Sequence, residues 1–70
     1  MIDTSRAGMR CRARRIIRTQ AVVIEAASQG TIVHELENLG RRLILVQWDS
    51  GPLLLAFSDE VDIAGELDPA

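Results

Sequence analysis

The chain has 70 residues, close to half of them apolar, with eight arginines, ten acidic residues and a formal net charge of −2. This length allows one domain with a small core, and one cysteine with one histidine excludes an internal disulfide and a structural zinc site. No apolar run approaches the roughly 18 residues of a membrane span, and no apolar segment of signal-peptide type follows the first charges, so we expect a cytoplasmic protein without a membrane partner.

The first part of the chain is predicted to hold one strand followed by a long loop. Residues 1–7 show no apolar periodicity, so we expect a disordered N-terminus, then a folded domain over residues 8–64 and a C-terminal tail over residues 65–70. Over residues 9–15, apolar residues alternate with arginines, which predicts a half-buried strand with the arginines outward. Residues 16–29 are ambiguous, and we expect a long loop that contains a short strand.

Two tight turns organise the middle of the chain. Residues 30–37 are predicted to form a strand that ends in a three-residue loop closed by Gly40 at positive φ. The register that follows pairs Glu37 with Arg41 and Ile32 with Val46. On the next strand, period-2 alternation separates two sets of apolar residues, which are Ile44, Val46 and Trp48 on one side and Leu43 and Leu45 on the other.

The second turn contains Pro52, which has no N–H, so we expect a four-residue loop closed by Trp48 and Leu53. Ile44 then faces Phe57, and both aromatic residues lie in the core. After this strand, Ser58 is predicted to cap a single helical turn, and residues 61–63 to form the last strand.

This layout has five short strands, a long first loop, two tight hairpins and one helical turn, and it predicts an all-β fold. The segments GMRCRARR, GTIV, LILVQWDSG, LLLAF and DEVDI resemble small SH3-like barrels of bacterial accessory proteins over about residues 8–63. Among named families, the pattern is similar to the variable chain of ferredoxin-thioredoxin reductase and to the small barrel subunit of photosynthetic NAD(P)H dehydrogenase. It is more loosely similar to nitrogen-fixation Z-type proteins. The resemblance implies a barrel that supports partner subunits, and no catalytic residue carries over from it.

No pattern typical of a catalytic or cofactor site is visible. The sequence has no phosphate-binding glycine loop, no paired metal-ligand spacing and no nucleophile with a base, so we expect neither an enzyme nor a bound cofactor. His34 falls on the inward side of its strand, where a satisfied histidine at the end of the barrel is favoured over a general base or ligand. Cys11 is predicted to be a buried small apolar residue rather than a redox thiol.

The arginines near the N-terminus are the best case for nucleic-acid binding, since outward arginines on one strand can contact successive phosphates. This candidate set is Arg10, Arg12, Arg14, Arg15 and Arg18. No exposed aromatic residue is predicted beside them for bases to stack on. The last strand is expected to pair with the first, which would bring Asp59, Glu60 and Asp62 close enough to neutralise the arginines.

The second apolar set on the middle strands has no place in a single core. The residues predicted to point outward together are Val33, Leu43, Leu45, Leu54 and Ala56. A contiguous apolar patch on a small protein usually marks an interface, and the alternative is that residues 16–29 fold over it. The sequence therefore predicts a non-catalytic protein–protein interaction module, an accessory or adaptor subunit that self-associates or docks on a larger complex. The alternative is a nucleic-acid-binding small barrel.

Overall fold

In the computed structural model, which describes residues 2–64, the chain is built of β-strands with a short 3₁₀ turn at Ser58–Glu60. The strands are β1 (Ile2–Asp3), β2 (Arg10–Ala13), β3 (Ile17–Arg18), β4 (Val23–Ile24), β5 (Gln29–Asn38), β6 (Arg41–Trp48), β7 (Leu53–Phe57) and β8 (Val61–Ile63). The predicted all-β class and the predicted helical turn before the last strand are confirmed.

The strands form one main antiparallel sheet in the order β7-β6-β5-β2-β8, and β1 also pairs with β5. The first long strand and the last one are neighbours, as predicted, with Ala13 opposite Val61. Strands β7 and β8 stand at the two ends of this order, and over residues 2–64 no pairing joins them. The sheet is therefore open between β7 and β8.

The N-terminal segment takes part in the sheet. Ile2 lies opposite Leu36 of β5, and the Ser5 N–H donates to Asp3 Oδ1 at 2.8 Å in the turn that leads to β2. The segment predicted to be disordered, residues 1–7, thus contains strand β1 within the part that the structure describes. The predicted tail, residues 65–70, lies outside the described residues.

Residues 16–29 fold into a small hairpin that covers the core. Strands β3 and β4 pair through Ile17 and Ile24, and both side chains are buried in the same cluster as Trp48. This cluster lies on the inner face of the main sheet, because it also holds Ile44 and Val46 of β6. The alternative prediction, that this segment covers the outer apolar face, is wrong, since the buried side chains of the hairpin complete the inner core.

The turn between β5 and β6 has two residues rather than the predicted three. Asn38 pairs with Arg41, and Leu39 and Gly40 have φ values of 53° and 78°, the type I′ geometry. The predicted pairing of Glu37 with Arg41 is therefore wrong by one residue.

The predicted pairing of Ile32 with Val46 is nevertheless confirmed. The reason is a β-bulge between Ile32 and His34, where Val33 is the extra residue and compensates for the shorter turn.

The turn between β6 and β7 is also shorter than predicted. The Trp48 N–H donates to the Pro52 carbonyl at 2.9 Å, and the Gly51 N–H donates to the Trp48 carbonyl at 3.0 Å. Proline lacks a donor but keeps its acceptor, so the Trp48–Pro52 pair closes the loop with one bond. The predicted closure by Leu53 is wrong, and this one-residue change reverses the direction of every β7 side chain.

The 3₁₀ turn starts at Ser58, but Ser58 does not cap it. Phe57 occupies the N-cap position, and the Phe57 N–H donates to Glu60 Oε1 at 2.9 Å. The predicted cap is therefore wrong, because the carboxylate of Glu60 satisfies the end of strand β7.

Candidate docking surface

Strand β7 presents three large apolar side chains to solvent. Leu53, Leu55 and Phe57 are 56%, 42% and 40% exposed, whereas Ala56 between them is 2% exposed. In an antiparallel pair, directly opposite residues share a face, so Leu55 lies beside Leu45 of β6. These residues form the outer face of the sheet, opposite the core.

The outer face continues across β6 and β5. Leu43 and Leu45 are half-buried, and they pair with Leu36 and His34 of β5 on the same face. Val33, the extra residue of the bulge, is 39% exposed. The outer face is hence a contiguous apolar surface over three strands, and a surface of this kind typically marks an interaction site.

The residues predicted for this surface divide into two groups. Val33, Leu43 and Leu45 lie on the outer face. Leu54 packs against the core and Ala56 belongs to it, so their predicted outward direction is wrong. The predicted core position of Phe57 is wrong for the same reason, which is the shorter turn before β7.

On β7, the three residues of the outer face escaped prediction: Leu53, Leu55 and Phe57. The sequence carries no direct signal for them, because β7 is apolar at every position.

Within residues 2–64, the outer edge of β7 has backbone groups that bond to no other strand. Hydrogen-bonded and non-hydrogen-bonded pairs alternate along antiparallel strands, and Trp48 is bonded to Pro52. Leu54 and Ala56 therefore bond to β6, whereas Leu53 and Leu55 direct their N–H and C=O groups away from it. Over the described residues β7 has no other strand as a neighbour.

A cation stands at one end of this face. The guanidinium carbon of Arg41 lies 5.3 Å from the centre of the Phe57 ring, a cation–π contact on the exposed side of the sheet. Arg41 forms no ion pair within residues 2–64. The apolar face therefore has an arginine at its border that can form an ion pair with a carboxylate.

The arginines of the N-terminal strand are largely paired with acids. Arg10 binds Asp49 through both nitrogens of its guanidinium tip, with Nη1 2.9 Å from Oδ1, and also donates to Thr31 Oγ1 at 2.9 Å. These hydrogen bonds from Arg10 hold the pKa of the Asp49 carboxyl below its ordinary value.

Arg14 and Arg15 also have acidic partners within residues 2–64. Arg14 lies 3.5 Å from Asp62, and Arg15 lies 3.6 Å from Asp59. Two of the three acids predicted to face the arginines therefore do so, and the third, Glu60, bonds to the backbone instead. Of the five candidate arginines, Arg12 and Arg18 therefore have no ion pair among the described residues.

A buried carboxylate that the sequence did not reveal lies under the N-terminal segment. Glu35 is 1% exposed and accepts hydrogen bonds from Arg6 Nε and Nη2, each at 2.7 Å, and from Arg42 Nη1 at 3.1 Å. The bonds from Arg6 in particular lower the pKa of the Glu35 carboxyl. The bulge at Val33 turns Glu35 inward, and a bulge without glycine has no clear sequence signature.

His34 was considered above as a general base or ligand, and Cys11 as a redox thiol. His34 lies opposite Leu45 on the outer side of β5, so its predicted inward position is wrong, and the bulge is the cause. Cys11 is 3% exposed, as predicted for a small apolar residue, and burial raises the pKa of its thiol. Within residues 2–64, no group of three or more histidine, cysteine or acidic residues is placed to hold a metal ion.

Among the described residues, no helix has the length and apolar character needed to cross a membrane. A scan against protein-family models found no match, and searches of curated proteins and of solved structures found none either.

Proposed function

We propose that the chain is a non-catalytic protein–protein interaction module, a cytoplasmic accessory or adaptor subunit with an SH3-like barrel fold. It acts by placing the outer face of β5, β6 and β7 against another protein chain. The observation that carries the proposal is the partly exposed apolar surface on the outer face of β5, β6 and β7, which includes Val33, Leu45 and Leu55. The order of the five principal strands and the 3₁₀ turn before β8 support the fold assignment.

The division of roles on β6 supports this function. Ile44 and Val46 are fully buried and fill the core, whereas Leu43 and Leu45 stay partly exposed on the other side. A strand that served only as the wall of a core would carry polar residues on its solvent side. The second apolar set is therefore explained by contact with a further protein surface.

The ion pairs of the N-terminal strand favour protein docking over nucleic-acid binding. Three of the five candidate arginines are already matched with carboxylates, which lowers the positive potential available to phosphates. Of the two aromatic residues, Trp48 is buried and Phe57 is covered in part by Arg41. Neither lies on the strand that carries the arginines.

Site-specific photo-crosslinking in the native cell tests the proposal. A photo-reactive amino acid replaces Leu45 on the outer face, and in a matched control it replaces Leu39, which is 94% exposed at the turn and away from the face. We expect a specific protein adduct from position 45, either to a second copy or to another chain, and none from position 39. No protein adduct at position 45, or equal adducts at both positions, would contradict the proposal. An adduct with RNA or DNA would favour the alternative function.

A further inference from the structure

We propose that the free edge of β7 binds a second copy of this chain, so that two β7 strands pair antiparallel around a two-fold axis. The inference rests on the proposed function, because it names the partner of the same surface.

The edge is suited to strand pairing. Leu53 and Leu55 direct their N–H and C=O groups away from β6, and over residues 53–57 there is no charge, no proline and no bulge. Natural proteins commonly use these three features to prevent an edge strand from pairing. Strand β7 has none of them.

The free edge of β7 matches the same edge of a second copy in length. At one end, the Phe57 N–H is bound by the Glu60 carboxylate at 2.9 Å, and at the other, the Gly51 N–H is bound by the Trp48 carbonyl at 3.0 Å. Two residues, Leu53 and Leu55, remain between these ends. In a two-fold pair centred on Leu54, each Leu53 faces the Leu55 of the other copy. The N–H and C=O groups of these residues then form four hydrogen bonds between the two β7 strands.

The shape of the edge is also self-complementary. The same register places each Phe57 opposite Gly51 of the other copy, and Gly51 has no side chain to obstruct the Phe57 ring. Two-fold symmetry repeats this contact at the other end of the seam. Leu53 and Leu55 of both copies lie side by side, so the two outer faces join into one apolar surface.

Sedimentation velocity over a concentration series tests the inference with the full chain and the variant Leu55→Pro. The Leu55 N–H points away from β6, so proline removes an edge donor and keeps the bonds between β6 and β7. We expect the wild-type chain to dimerise and the variant to be folded, with a dimer dissociation constant raised on the order of 100-fold. Leu55→Lys should also raise the dimer dissociation constant. The control Leu39→Lys places the same charge away from the edge and should dimerise as the wild type does.

A wild-type chain that stays monomeric at high micromolar concentration would overturn the inference, and so would undiminished dimerisation of Leu55→Pro. If the proline variant fails to fold, hydrogen exchange of the backbone amides in the wild-type chain tests the inference instead. The Leu53 and Leu55 amides should exchange more slowly as concentration rises, and exchange that is independent of concentration would overturn the pairing. A monomeric chain that still forms an adduct with another protein at position 45 would contradict this inference and leave the proposed function standing.

Discussion

Replacing Glu35 with glutamine keeps the size of the side chain and removes its charge, so it measures how strongly the buried ion pairs stabilise the fold. In the native chain the carboxylate binds Arg6 at 2.7 Å and Arg42 at 3.1 Å. Removing one partner of a buried ion pair typically costs about 3–5 kcal/mol. Arg6 and Arg42 keep 24% and 40% of their side-chain exposure and can be hydrated in the variant, so we expect a smaller loss of about 2–3 kcal/mol.

That loss is large for this chain. A domain of 70 residues has a free energy of unfolding of about 3.5–10 kcal/mol, and the melting temperature should fall by about 10–20 °C. Thermal and urea melts followed by the fluorescence of Trp48, the only tryptophan, measure the change. The control is Glu37→Gln, an exposed carboxylate two residues along the same strand, which should shift the free energy of unfolding by less than about 0.5 kcal/mol.

The stabilisation by Glu35 should depend on pH in one direction. Its pKa is lower in the folded state than the ordinary value of 4.5, so the contribution is complete above that value. It is lost as the pH falls through the folded pKa, and the stability gap between wild type and Glu35→Gln should shrink in acid. Equal stability of the two chains at neutral pH, or a gap that acid leaves unchanged, would refute this reasoning.

Three further variants test other parts of the structure. Gly30→Ala should destabilise the fold by about 1–3 kcal/mol in a thermal melt, because its new Cβ would lie 2.6 Å from Val46 Cγ1, and an unchanged melt would disprove this close approach. Leu39→Asn should stabilise the fold by about 0.5–1 kcal/mol, since asparagine tolerates the positive φ of the turn better than leucine, and a lower melting temperature would contradict the type I′ geometry. Generic RNA or DNA affinity, titrated against salt, should stay unchanged in a triple glutamine variant, and a large loss with a shallower salt slope would favour the nucleic-acid alternative. That variant replaces Arg10, Arg12 and Arg14.

The alternation of β6 could be predicted from sequence because the residue types decide it. Ile44, Val46 and Trp48 are buried to at least 99%, and the charged start of the strand at Arg41 and Arg42 fixes which end meets the turn. The pairing of the first predicted strand with the last was expected from the resemblance to small barrels, and it brings arginines near one strand close to acids near the other.

The direction of β7 could not be predicted from its own residues. The sequence LLLAF is apolar throughout, so periodicity gives no preference for either face. The length of the preceding turn decides the direction, and a one-residue error there exchanges the core set and the outer set. The structure places the small Ala56 against Ile44 in the core and leaves Phe57 outside.

The buried Glu35 was hidden by two compensating departures from regular geometry. The two-residue turn shifts the register by one, and the bulge at Val33 shifts it back at Ile32. Only between these two points do side chains point to the face opposite the predicted one, so His34 lies outside and Glu35 inside. Glu35 lies opposite the buried Ile44, and its carboxylate is tolerated there because Arg6 and Arg42 bind it.

The claim that β6 supports the core with one face and leaves the other for a second protein chain is tested most directly by melting Leu45→Glu beside Ile44→Glu. The two variants place the same charge at adjacent positions of one strand. We predict that Ile44→Glu unfolds, because it buries a charge without a partner, and that Leu45→Glu melts cooperatively close to the wild type. A Leu45→Glu chain that unfolds as Ile44→Glu does would show that both faces of β6 belong to the core.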